Sequence, residues 1–226
     1  MFVKIFEDCL LELENLYKSK SDKFFFTEKE IHSYFYSICL SKNIFLYKDY
    51  NLVHTEYPTP FKASILKDPP YFKVVNNESK FMRSHIDLVL LNPNFIDWCE
   101  KNNLPFNYIK GLKNESFSKY IVDFVNIYNR FYSDTNEPIL LYAIEFKYFR
   151  GGYEGTKYPI IAVKQDLEKL NSLKQLKFGT RQQQIPFTQN VRSKIFFENN
   201  CSKIIDKINL DPIFKNYQNM FDIIIR

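Results

Sequence analysis

The stretches Ser84-His85-Ile86-Asp87-Leu88-Val89-Leu90-Leu91 and Leu140-Leu141-Tyr142-Ala143-Ile144-Glu145-Phe146-Lys147-Tyr148 decide the fold. Each reads as a buried strand interrupted by charge. In an extended chain successive side chains alternate faces, so Glu145 and Lys147 share one face while Ile144, Phe146 and Tyr148 take the other. Charge in strands this apolar calls for a partner, because burying it unpaired is costly. A divalent cation is one such partner. On neighbouring strands Asp87 and Glu145 offer hard oxygen ligands to Mg²⁺ or Mn²⁺, with Lys147 close enough to touch a phosphate or an attacking water. The plainer alternative is a Glu–Lys ion pair at a strand end, with Asp87 capping a turn.

Upstream, Phe2, Ile5, Phe6, Cys9, Leu10, Leu13 and Leu16 recur at three- and four-residue steps and predict a helix over 2–17. Thr27-Glu28-Lys29-Glu30 fits a capping box and predicts a second helix from Thr27, continued by Ile31, Tyr34, Phe35 and Ile38. Glu30 then has two candidate roles, partner of the cap or a first-turn acid that helps hold a metal. Leu52 to Tyr57 predicts a strand ended by Pro58 and Pro60, and Phe72 to Val75 a short strand before an Asn76-Asn77-Glu78 turn.

Asp87 and Glu145 lie much further apart than a hairpin allows. The interval, about 94–134, predicts a helical insertion, with Ile121, Phe124, Val125, Tyr128 and Phe131 on one stripe. Arg150-Gly151-Gly152-Tyr153-Glu154-Gly155 has neither the P-loop nor the dinucleotide-binding spacing, and predicts a flexible loop beside a site. A helix follows over 161–176, with Val163, Leu167, Leu170, Leu173 and Leu176 inward and Lys164, Asp166, Glu168 and Lys169 outward. Late strands are predicted at 194–197 and 221–225, with a helix between them around 204–208. The order implies an α/β or α+β class around a mixed sheet, with α/β taken first, in a single domain over 1–226.

The chain has 226 residues, 45% hydrophobic and 25% charged, within the range of a soluble globular protein. Its net charge of +5 is concentrated. From 164 to 194, Lys164, Lys169, Lys174, Lys177, Arg181, Arg192 and Lys194 face only Asp166 and Glu168, so the whole excess falls there. Clustered cations suit a phosphate backbone; a solvated helix face with a basic loop is the bland equivalent. Cys9, Cys39, Cys99 and Cys201 form no C-x-x-C pair, which argues against a zinc site or a disulfide framework and for a reducing cytoplasm. Neither a signal peptide nor a membrane span is suggested, and no membrane partner is expected. His32, His54 and His85 are isolated, and no Ser-His-Asp or Cys-His order stands out; His85, two residues before Asp87, is within reach of a substrate phosphate but fits a structural role better.

Together the acid on an early helix (Glu30), the Ile86-Asp87-Leu88-Val89-Leu90 strand, the Ala143-Ile144-Glu145-Phe146-Lys147 strand and the following Gln165-Asp166-Leu167-Glu168-Lys169-Leu170 helix resemble the restriction-endonuclease-like superfamily of PD-(D/E)xK phosphodiesterases. The resemblance covers about 27–176 less the insertion, and Ile86 stands where the motif has Pro. It implies a restriction-endonuclease-like core and a metal-dependent nuclease or, alternatively, a catalytically idle nucleic-acid-binding or assembly subunit. Asp87, Glu145 and Lys147 would be catalytic, with Asp87 and Glu145 holding Mg²⁺ or Mn²⁺, Glu30 as an auxiliary ligand, and Lys147 orienting the water. Gln165 and Lys169 would line the substrate groove, and the basic stretch adds Arg181 and Arg192 as nucleic-acid contacts. The expected partner is nucleic acid, DNA in first place, with a homodimer or a larger restriction or repair assembly left open. On this reading Lys147→Ala leaves the fold intact and removes cleavage.

Overall fold

The computed structural model describes residues 1–20, 24–25, 27–63, 82–111, 123–150, 158–174, 176–177, 184–188, 190–198 and 201–226. Five strands form one mixed sheet: β1 (Val53–Ala63), β2 (Met82–Leu91), β3 (Leu140–Phe149), β4 (Val191–Phe197) and β5 (Phe221–Ile225). They lie side by side in chain order, antiparallel from β1 to β3 and parallel from β3 to β5. Helices flank the sheet. The class is α/β, the first of the two that the element order allowed.

The first two helices cover one face. Helix α1 (Phe2–Ser19) buries Phe6, Cys9, Leu10, Leu13 and Tyr17. Phe6 meets Tyr142 with ring centroids 5.0 Å apart, and Tyr17 meets Phe196 at 4.8 Å. Helix α2 (Glu28–Leu40) starts at the predicted capping box: Glu30 N–H donates to Thr27 Oγ1 at 3.2 Å, and Thr27 N–H donates back to Glu30 Oε2 at 2.8 Å. Its Phe35 packs 5.5 Å from Phe146. The face carrying Tyr142, Ile144 and Phe146 is thereby closed with aromatic rings, each such pair adding about 0.5–1.5 kcal/mol beyond its burial.

The opposite face is closed by α5 (Tyr158–Lys174), the crossover between parallel β3 and β4, which buries Val163, Leu167, Leu170 and Leu173. Beside it lies α6 (Ser202–Leu210), the crossover from β4 to β5. Lys164 of α5 and Asp211 just after α6 form an ion pair of 2.6 Å between the two helices.

Two of the helices between β2 and β3 are α3 (Pro93–Lys101) and α4 (Val125–Thr135). Asn92 caps α3 with Pro93 in its first turn, and Asn136 ends α4 at φ 57°, the left-handed conformation that asparagine tolerates. Phe95, Trp98 and Phe131 pack between these helices, and Trp98 Nε1 donates to Asp134 at 2.8 Å. A short helix, Phe106–Ile109, leans on β1, where the Tyr57 hydroxyl donates to the Ile109 carbonyl at 3.1 Å.

Pro58 and Pro60 do not end β1. The strand runs on to Ala63, with a register break between Pro58 and Lys62. It is the edge of the sheet, where a missing N–H costs no ladder bond. Leu176 joins a two-residue strand instead of closing α5. The strand expected over 72–75, the turn after it, Ile121 and the glycine loop at 151–155 lie outside the described residues. Among the described residues no helix is long and apolar enough to cross a membrane.

Candidate active site

The β2–β3 ladder ends at the Leu88–Ile144 pair, while β1–β2 pairing continues to Pro58–His85 and beyond and β3–β4 pairing to Phe149–Phe197. A fork therefore opens between β2 and β3 one residue before Asp87 and Glu145. At its apex the Phe146 N–H, with no strand partner on that side, donates to Asp87 Oδ2 at 2.8 Å. The two sequence-predicted acids sit at the mouth of the fork, where helices from both faces of the sheet can reach.

From α2 come Glu28 and His32, one turn apart. His32 Nε2 lies 3.1 Å from Asp87 Oδ2, and Glu28 Oε1 lies 3.4 Å from Lys147 Nζ. From α5 come Asp166 and Lys169. Asp166 Oδ2 is 2.9 Å from Lys147 Nζ, and Lys169 Nζ is 2.5 Å from Glu145 Oε1 while donating to the His85 carbonyl at 3.0 Å. Lys169 thus ties the two prongs of the fork together, and Lys147 ties β3 to both helices.

The electrostatics follow from burial. Glu145 is 1% exposed, and burial pushes its carboxyl well above the ordinary value, helped by Asp87 and opposed by Lys169. Burial also raises Glu28, against the pull of Lys147. Asp87 goes the other way: burial opposes its charge, but the adjoining His32 ring, then Lys147 and Lys169, bring it well below the usual carboxylate range. Burial likewise opposes a charge on Lys147, yet Asp166 and Glu28, with Asp87 and Glu145, hold it well above the ordinary lysine value. Lys169 is raised in the same way, chiefly by Glu145 and Asp166. Lys147 is consequently an ammonium at neutral pH, a donor and not a base. Four acidic side chains, Glu28, Asp87, Glu145 and Asp166, thus face two ammonium groups, with burial favouring the neutral form of Glu145 and Glu28.

Ligand atoms of Glu28, His32 and Asp87 lie within 4.8 Å of one another, a spacing that could hold a metal ion. All three are ligand types that a divalent transition ion accepts, two carboxylates and an imidazole. Comparison with family models, with curated proteins and with solved structures gives no significant match.

Of the sequence-predicted residues, Asp87, Glu145 and Lys147 are brought together. Glu30 is not; it is exposed and engaged in the cap, and Glu28 takes the place expected of it. Lys169, expected outward, is buried against Glu145, and its neighbour Asp166 is buried too. Gln165 is half-buried on the same helix, one residue before Asp166. Arg192 donates to the Asn219 carbonyl, and Arg181 lies outside the described residues. In the basic stretch Lys164 pairs with Asp211, and Lys194 with Glu14 and Asp222, so these cations serve the fold. The sequence reading missed Glu28, His32 and Asp166. A signal was present: Glu28 and His32 are four residues apart on one helical face, and Asp166, Lys169 and Leu173 follow at three- and four-residue steps within the buried arc of α5.

Proposed function

We propose that this chain is a metal-dependent nuclease with a restriction-endonuclease-like core, hydrolysing phosphodiester bonds of nucleic acid. The observation that carries the reading is the convergence of Asp87, Glu145 and Lys147 at the fork, joined by Glu28 and His32 from the other side of the sheet. Glu28, His32 and Asp87 would hold Mg²⁺ or Mn²⁺, with Glu145 beside them. When bound, the cation supplies positive charge next to the phosphoryl oxygens where negative charge develops. Lys147, kept protonated by Asp166 and Glu28, donates to the attacking water or to a phosphoryl oxygen and fixes its position. Asp166 acts through Lys147 and orients it.

A second reading, a nuclease-like binding subunit without turnover, draws on one observation. Glu145 already has the Lys169 ammonium at 2.5 Å, so its charge is partly answered without a metal. Incubation of the purified protein with plasmid, single-stranded DNA and RNA, with Mg²⁺, Mn²⁺ or EDTA, separates the two. Cleavage that needs the metal and is lost in Asp87→Asn supports the enzyme. A gel shift with every substrate left whole supports the binder.

A further inference from the structure

The cavity beside the cluster bears on which form of nucleic acid the site accepts. Among the described residues it is lined by Tyr36, His54, Thr55, Glu56, Tyr57, Pro58 and Lys110, and its volume is about 240 Å³. Tyr36 stands one turn beyond His32 on α2. Glu56 falls opposite Asp87, between the paired Thr55–Leu88 and Tyr57–Ile86. Two of its lining residues thus neighbour members of the metal-ligand cluster, one along α2 and one across the β1–β2 pair.

Its walls are built with some constraint. Glu56 has φ 52°, a left-handed conformation inside a strand, which turns the backbone at this point. Gly111 has φ +62°, and a Cβ there would lie 2.9 Å from Pro58 Cγ and 3.0 Å from Tyr57 Cζ, so the turn bearing Lys110 closes onto β1 only because it ends in glycine. Tyr57 is fixed by its hydrogen bond to Ile109. Lys110 and Glu56 share this rim, and neither forms an ion pair among the described residues; Lys110 Nζ rests 4.4 Å from the centroid of Phe106.

A cation and a carboxylate with no ion-pair partner among the described residues, beside the rings of Tyr36, His54 and Tyr57, suit a ligand that carries an anion, ring N–H donors and a flat heterocycle together. We propose that this cavity receives one unpaired nucleotide of the substrate, its base against Tyr36 and His54 with an N–H toward Glu56 and its phosphate toward Lys110. The space is below the roughly 300–1,000 Å³ of drug-sized ligand sites and takes one base, not a base pair. The substrate class is thereby single-stranded nucleic acid, or a duplex end or lesion that presents an unpaired nucleotide. The inference rests on reading the cluster as a phosphodiester site.

The test uses the full chain carrying Asp87→Asn, so that binding is read without cleavage. Fluorescence anisotropy compares a labelled twelve-nucleotide single strand with the same sequence as a blunt duplex. The single strand should bind at least about tenfold more tightly, and His54→Ala with Lys110→Ala should remove most of that preference while leaving duplex binding and the melting temperature unchanged. Equal affinity for strand and duplex, or a preference that survives the double substitution, overturns the proposal. Metal-dependent cleavage by the unsubstituted protein is scored separately. Cleavage with no strand preference removes the cavity and keeps the nuclease, preference without cleavage keeps the cavity and removes the nuclease, and no binding at all removes both.

Discussion

Asp87 accepts the backbone N–H of Phe146 at 2.8 Å, a side chain standing in for the strand carbonyl that would have continued the ladder. The same carboxylate oxygen faces His32. One atom therefore both holds the fork open and points into the site. Asp87→Asn keeps an oxygen for Phe146 and loses the charge, so it should fold with a melting temperature near that of the unsubstituted protein and bind Mn²⁺ at least about tenfold more weakly by titration calorimetry. Asp87→Ala loses both, and the stranded N–H should cost a further 1–3 kcal/mol or so in urea denaturation. Equal metal affinity in all three proteins would remove Asp87 from the ligand set.

Glu30 and His32 are two residues apart on α2 and so differ by about 200° around its axis. One faces the cap, the other the fork. Glu30→Ala should cost about 1 kcal/mol of stability and leave metal binding untouched. His32→Asn should do the reverse. Because an imidazole nitrogen favours transition ions over Mg²⁺, the unsubstituted site should bind Mn²⁺ more tightly than Mg²⁺, and the gap should narrow in His32→Asn. Calorimetric titration with the two chlorides reads both effects. A loss of metal affinity in Glu30→Ala would restore the ligand role that the sequence suggested for it.

The centres of the strands, the first helix and the capping box were legible because each follows from a local rule: alternation, helical periodicity, and a threonine three residues before a glutamate; the strand ends were not, since β1 runs past its prolines and β4 starts at Val191. The pairing of β2 with β3 was legible only in outline, since the long excursion through α3 and α4 conceals that Leu88 and Ile144 are neighbours. The site was half legible. Asp87, Glu145 and Lys147 stood out as charge in apolar strands, whereas Asp166 and Lys169 passed as a solvated helix face. Charge on an amphipathic helix is ordinarily outward, and only the acid and ammonium waiting on the strands make its burial affordable here. His32 looked isolated because its partner, Asp87, is remote in sequence.

Lys147 has a structural role that its sequence context did not disclose. It is the nearer of the two ammonium groups on Asp166, at 2.9 Å against 3.6 Å for Lys169, so Lys147→Ala leaves a poorly solvated carboxylate with only the more distant, shared partner. Contrary to the sequence-based expectation of an intact fold, that substitution should destabilise the protein by up to about 3 kcal/mol. Adding Asp166→Asn should recover most of the loss. Cleavage should be absent from both variants, because neither supplies the donor. Denaturant titration of the two proteins measures the recovery, and a single variant as stable as the unsubstituted protein would show that Asp166 does not depend on Lys147.

The Asp211 carboxyl is depressed first by the hydrogen bond from Lys164 and then by the N–H of Ile213, which it accepts at 2.9 Å. A carboxyl whose folded pKa lies below its unfolded value adds stability that is fully present above the unfolded value and is lost as pH falls through the folded one. Asp211→Asn keeps a capping oxygen, so its difference from the unsubstituted protein reports the charge alone. That difference should be a few tenths to about 1 kcal/mol at pH 7 and should shrink below about pH 4. Parallel melting curves from pH 3 to pH 7 check it. A constant offset would place the effect in the cap and not in the ion pair.

Glu145 and Lys169 face each other at 2.5 Å with 1% and 7% of their side chains exposed, so neither can be answered by water once the other is gone. Lys169→Met should therefore cost about 3–5 kcal/mol, and Glu145→Gln in the same chain should return much of it, since a neutral pair of similar volume carries no desolvation penalty. A coupling energy near zero in the double-mutant cycle would mean that the two charges are compensated separately. The cycle also weighs the two functional readings. If a bound cation shares Glu145 with Lys169, saturating Mn²⁺ should reduce the cost of Lys169→Met, because the ion supplies the positive charge that the lysine no longer does. If the metal leaves that cost unchanged, Glu145 serves the fold alone, and the ligand set contracts to Glu28, His32 and Asp87.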